Sequence, residues 1–142
     1  MIYFDTSYLL RCYYDDPGYE AVRRLADQDQ LACCGHGRVE LAAALHRKLR
    51  ERALTASDMT FLRQQIEQDS GQGHIVWLPV TEHLLDEAAR QYEALGAAVF
   101  LRAADSLHLT CARLNGLAEI HSNDQHLLAA ASHFGLKGID VT

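Results

Sequence analysis

Short apolar runs alternate with stretches of helical spacing along most of these 142 residues. The run Ile2 to Phe4 has little polar alternation, as expected for a strand covered on both faces. "LACC", Leu31 to Cys34, reads as a second short strand, ended by Gly35. "HIVWLPV" reads as a third, with Pro79 at its end or on an edge. "AEIHS" and "KGIDV" read as two more. Helical spacing marks "YEAVRRLADQ" after a Pro17-Gly18 turn, then residues 37–52 and 57–70. "TEHLLDEAARQYEALG" is a further helix, with Thr81 as N-cap and Gly96 beyond its end. "RAADSLHLTCARLNG", closed by Asn115-Gly116, and "NDQHLLAAASHFG" complete the set. Strands alternating with helices predict an α/β domain, residues 1–142, with a mainly parallel central sheet flanked by helices.

No apolar stretch is long enough to cross a bilayer. The N-terminus has no basic lead, and Asp5 interrupts its apolar run, so the expected location is cytoplasmic. Cys12, Cys33, Cys34 and Cys111 show no framework spacing and read as reduced thiols. The net charge is −6, from 19 acids against 13 Lys and Arg. That balance excludes a protein gripping nucleic acid through a broad basic surface, but not one that handles it through bound cations. The basic stretch "HRKLRER" reads as a solvated helix end.

The acids carry the remaining information. Asp5 stands at the C-terminal end of the opening strand, the rim where open α/β sheets bind ligands. Asp5, Thr6 or Ser7 would equally serve as the cap of the following helix. Asp124 also follows a strand, and Ser122-Asn123-Asp124-Gln125 has a capping-box pattern. Glu40 points away from the apolar stripe Leu41, Leu45 and Leu49, among Ala43, Ala44 and Arg47, where a surface glutamate is the plain reading. Asp105 is harder to dismiss. One face of its helix is apolar at Ala103, Leu107, Cys111 and Leu114, and Asp105 falls between Leu109 and Ala112 on the other. An acid so flanked is unfavourable unless a cation or donor compensates it.

Taken in order, four stretches resemble the PIN-domain nucleases, and among them the VapC-type toxins of toxin–antitoxin pairs. "YFDTSYLL" resembles the family's opening strand, and "GRVELAAAL" the helix supplying a second acid. "RAADSLHLTCA" is similar to the "DAxHLA" element, and "HSNDQHLLAAA" to the "TxDxxL" element. Ser106, Thr110 and Ser122 depart from the usual residues, as does the Cys33-Cys34-Gly35 lead, but no carboxylate is missing. The resemblance implies that Asp5, Glu40, Asp105 and Asp124 are catalytic metal-binding acids, with Ser7 as a polar neighbour. It further implies RNA as substrate, a cognate antitoxin as partner and a homodimer.

Four carboxylates in one cleft would repel each other without cations. Mg²⁺ or Mn²⁺ suits an all-oxygen donor set, and phosphodiester hydrolysis follows from it. Other chemistry is weaker. His108 beside Asp105 reads as a structural histidine, "CCGH" lacks zinc-ligand spacing, and Ser7 has no evident base. A phosphoaspartyl enzyme would want an acid where Ser7 stands. A non-catalytic RNA- or partner-binding protein of the same fold is the other alternative.

Overall fold

Every strand pairing in the fold is parallel. The computed structural model describes all residues, 1–142. In chain order the elements are β1 (Ile2–Tyr3), α1 (Thr6–Tyr13), α2 (Tyr19–Ala26), β2 (Leu31–Cys34), α3 (Gly37–Arg50), α4 (Ala56–Gly71) and β3 (Ile75–Leu78). There follow α5 (Glu82–Ala94), α6 (Ala103–Leu114), β4 (Glu119–His121), α7 (Gln125–Ala130), a 3-10 turn at Ala131–Phe134 and β5 (Lys137–Ile139). β2 lies between β1 and β3, while β4 pairs with β5. A single parallel bridge, Phe4 to His121, joins the two groups, supported by Asp5 N–H donating to the His121 carbonyl at 3.0 Å. The resulting order is β3-β2-β1-β4-β5, with the sense of winding reversing between β1 and β4. Parallel neighbours require crossovers, and the helices supply them on both faces.

The two-residue period of the strands sorts the core. Tyr3, Ala32, Cys34, Leu78 and Ile120 face one layer, where Leu84 of α5, Leu109 and Ala112 of α6 and Leu127 of α7 cover them. Phe4, Leu31, Cys33 and Ile75 face the other, beneath Tyr8, Leu9 and Val22 of α1 and α2. The adjacent cysteines thus point to opposite sides, each fully buried as a small apolar filler. Leu10, Leu41 and Leu45 form a satellite cluster where α3 crosses α1.

Several boundaries differ from expectation for local reasons. β1 ends at Tyr3, and Phe4, whose N–H still donates to the Ala32 carbonyl at 3.0 Å, pairs instead across the seam with His121. α4 begins earlier, where Thr55 and Asp58 form a reciprocal capping box. β3, by contrast, stops as expected at Leu78, immediately before Pro79, which has no N–H for a ladder. The last helix is shorter than its sequence pattern, tightening into the 3-10 turn closed by left-handed Gly135. The buried face of α6 is also a correction. Asp105, Ser106, His108, Leu109 and Ala112 turn inward with Cys111, while Ala103 and Leu114 are exposed.

Candidate active site

The reversal between β1 and β4 leaves a crevice at the carboxyl ends of these strands, the place where doubly wound sheets bind ligands. There the structure opens a cleft of about 370 Å³ lined by Asp5, Ser7, Glu40, Asp105 and Asp124 among others. All five residues singled out in the sequence therefore meet, though they come from four separate parts of the chain.

Asp5 is both a cap and a cleft residue. It is the N-cap of α1, its Oδ1 accepting from Tyr8 N–H at 3.0 Å. The Ser7 hydroxyl donates to the same oxygen at 2.7 Å, and the Ser122 hydroxyl donates to Oδ2 at 2.5 Å. Only 5% of Asp5 is exposed. Burial pushes its pKa up, against the opposing pull of His108 and of these three donors.

Glu40 is set by a close helix–strand approach. A Cβ on Gly37 would lie 2.6 Å from Cys33 Sγ, so only glycine lets the start of α3 sit against β2. One turn on, Glu40 Oε2 accepts from Thr6 Oγ1 at 2.6 Å and meets His108 Nε2 at 2.8 Å. Both bonds fall on Oε2, so Oε1 keeps its lone pairs. A relay orients the imidazole. The Tyr3 hydroxyl accepts from Cys34 N–H at 3.1 Å and meets His108 Nδ1 at 2.9 Å. With its lone pair so engaged, the hydroxyl is placed to donate to Nδ1, leaving Nε2–H for Glu40. Burial opposes the charge of Glu40, but His108, Thr6 and His36 outweigh it and hold the carboxyl at about 2.

Asp105 is 6% exposed and has the compensating cation its surroundings demand. Arg102, the residue preceding α6, reaches Asp105 Oδ2 through Nε at 2.7 Å and Oδ1 through Nη2 at 3.3 Å. The same Nη2 also donates to Asp124 Oδ2. These acids raise the pKa of Arg102. Asp124, not Ser122, is the cap of α7, accepting from His126 and Leu127 N–H. Ser122 instead accepts from Asp124 N–H at 2.9 Å while donating to Asp5, linking two acids across the seam. Burial works against the Asp124 charge, but Leu127 N–H, Arg102 and His126 N–H hold its pKa below the usual value.

Sequence reasoning missed Arg102, Thr6, His36 and the active face of His108. Two of these had a local signal: Arg102 precedes Asp105 by three residues, and His36 precedes Glu40 by four, both neighbours on a helix surface. The expectation of an oxygen-only neighbourhood is corrected, since His108 and His36 both stand against Glu40. Four carboxylates and two hydroxyls nevertheless form a donor set suited to a hard divalent cation. That a guanidinium already spans two of the acids is the same preference in another form.

A family model described as PIN domain matches residues 2–132. Comparison with curated proteins gives no match. Among solved structures the chain is similar to VapC20 of Mycobacterium tuberculosis, described as a Sarcin-Ricin loop cleaving toxin. The two share 16% identity at a TM-score of 0.72, over 92% of this chain and 95% of the other. FitAcB from Neisseria gonorrhoeae matches at 15% identity and TM-score 0.67, over 99% and 98%. VapBC2 from Rickettsia felis, bound to a DNA fragment from its promoter, matches at 13% and 0.63, over 99% and 98%.

Proposed function

The chain belongs to the PIN-domain family, and from that premise we propose that it is a Mg²⁺- or Mn²⁺-dependent endoribonuclease and the toxin of a toxin–antitoxin pair. One observation carries this reading: Asp5, Glu40, Asp105 and Asp124 line one cleft at the carboxyl edge of the sheet. The fold shared with a toxin described as cleaving the Sarcin-Ricin loop supports RNA as the substrate class. Likeness to the VapBC2 structure supports an antitoxin partner, and a cytoplasmic homodimer completes the proposal.

Asp5, Asp105 and Asp124 would hold the ion, with Glu40 Oε1 as a further donor. When bound, the ion supplies Lewis acidity toward a phosphate oxygen and acidifies water for in-line attack. Ser7 and Ser122 fix the plane of the Asp5 carboxylate through opposite oxygens. Thr6 and His108 keep Glu40 charged and aimed. Arg102 has a half-exposed side chain. With a cation on the acids, its guanidinium would be free to bind the scissile phosphate through paired N–H donors. Arg47 on the cleft lining offers a second phosphate contact. An antitoxin would silence the site by placing a cationic side chain of its own among the acids.

The test is incubation of purified protein with a panel of structured and single-stranded RNAs, in chelator and in Mg²⁺ or Mn²⁺, with the cut ends mapped. Cleavage that appears only with the ion supports the reading. Binding without cleavage under every condition would favour the non-catalytic alternative.

A further inference from the structure

We propose that His36, Glu40 and His108 form a second cation site, chemically softer than the acid cluster and selective for Zn²⁺-type ions. His108 Nε2 lies 2.8 Å from Glu40 Oε2, and His36 Nε2 lies 3.5 Å from the same oxygen. The three ligand atoms all fall within 4.8 Å of one another. Ligands of a tetrahedral zinc with bonds near 2.0–2.1 Å stand roughly 3.3 Å apart, so small side-chain adjustments close the site.

An observation independent of this clustering points the same way. Both ring nitrogens of His36 are shut off from solvent and neither makes a well-formed hydrogen bond, Nε2 having only the long 3.5 Å approach to Glu40. Buried polar atoms are normally satisfied, and an ion held between Glu40 and His108 would give His36 Nε2 the partner it lacks. Its ring packs 4.3 Å from that of His108, centroid to centroid, which brings the two imidazoles to one point. His108 already has the outer support typical of metal-binding histidines. An ion at Nε2 would move the imidazole proton to Nδ1, and the second lone pair of Tyr3 Oη would then accept it beside Cys34 N–H, the hydroxyl switching from donor to acceptor. Two imidazoles and one carboxylate leave a fourth position open, a borderline-soft donor set that favours Zn²⁺ over Mg²⁺.

The site shares Glu40 with the acid cluster. If the nuclease reading holds, zinc here competes for a carboxylate that the catalytic cation uses, and so restrains cleavage. The binding site itself does not depend on that reading.

Titration of the reduced, metal-free full chain with Co²⁺, followed by its visible ligand-field bands, tests the site without RNA. One Co²⁺ per chain should give intense bands of low coordination number, bleached by stoichiometric Zn²⁺ and unaffected by excess Mg²⁺. His36→Gln should weaken this binding by at least roughly tenfold, with the variant's fold checked by circular dichroism. Asp105→Asn, which alters only the acid cluster, should keep the bands. No bands in the folded wild-type chain would overturn the proposal. So would bands that survive His36→Gln, bands lost in Asp105→Asn, or strong thiolate charge transfer, which would assign the ion to cysteine. Failure of RNA cleavage with the bands intact would overturn the nuclease reading alone.

Discussion

Arg102 Nε sits 2.7 Å from Asp105 Oδ2, so the one acid of α6, itself buried, has a cation from its own chain. From sequence, Asp105 among apolar neighbours would be relieved by neutralisation. The arginine reverses that sign. Asp105→Asn should lose about 1 kcal/mol of stability in chelator, a modest figure because the Arg102 side chain is 55% exposed and screened by solvent. Urea unfolding of both proteins measures it. Equal or greater stability of the variant would mean the pair contributes nothing.

Under the proposed function, Arg102 would compete with a divalent ion for two carboxylates. Arg102→Gln should therefore bind Mg²⁺ more tightly, by roughly fivefold for the loss of one nearby positive charge, as read by calorimetry. The same variant should cleave RNA more slowly if the guanidinium meets phosphate in the working complex. Weaker Mg²⁺ binding would contradict the competition.

Asp5→Asn keeps the shape of the α1 cap, and asparagine caps helices about as well as aspartate. The variant should fold normally yet lose cleavage by roughly a hundredfold or more, the scale of removing one preorganised charge-stabilising group. Wild-type rates in a folded variant would show that Asp5 serves α1 only.

Tyr3→Phe tests the relay behind Glu40. It removes the only hydroxyl between Cys34 N–H and His108 Nδ1, leaving a buried donor and a buried acceptor unpaired. Such groups cost about 2–3 kcal/mol together. Thermal melts that match wild type would place water where the hydroxyl stood.

Asp140 ties the end of β5 to α1. Its Oδ1 accepts from the Tyr8 hydroxyl at 2.9 Å and from Thr142 N–H and Oγ1. Burial opposes its charge, but Thr142, Tyr8 and Arg11 together lower its pKa from the ordinary 3.8. A depressed folded value means the stabilisation is complete above the unfolded pKa and disappears as pH falls through the folded one. Melting temperature should thus decline as pH drops below about 4, with a shallower slope in Asp140→Asn. Identical slopes would show that another carboxylate governs acid unfolding.

The sequence was most legible where the causes are local. The Thr81 cap, the end of β3 before Pro79 and the placement of four acids on their elements follow from neighbours within a turn. At Asp5 the two readings do not exclude each other, since one oxygen caps α1 while the carboxylate lines the cleft. What stayed hidden depends on distant packing. His108 faces Glu40 because α6 and α3 converge on β2, a meeting of residues 68 positions apart. Ser122 reads as a cap by pattern, yet the strand seam turns its hydroxyl to Asp5. The inward face of α6 misled for two reasons: His108 is buried because distant Tyr3 and Glu40 satisfy it, and Asp105 because Arg102, three residues before it, folds back over its carboxylate.

The seam between β1 and β4 has a further meaning. Asp5 and Glu40 belong to the segment ending with β3, whereas Asp105 and Asp124 belong to the segment beginning with α5. A nick in the connection at Pro79–Thr81 would divide the carboxylates two and two. Neither piece carries all four acids, so the cleft exists only where both halves of the chain are docked across that seam.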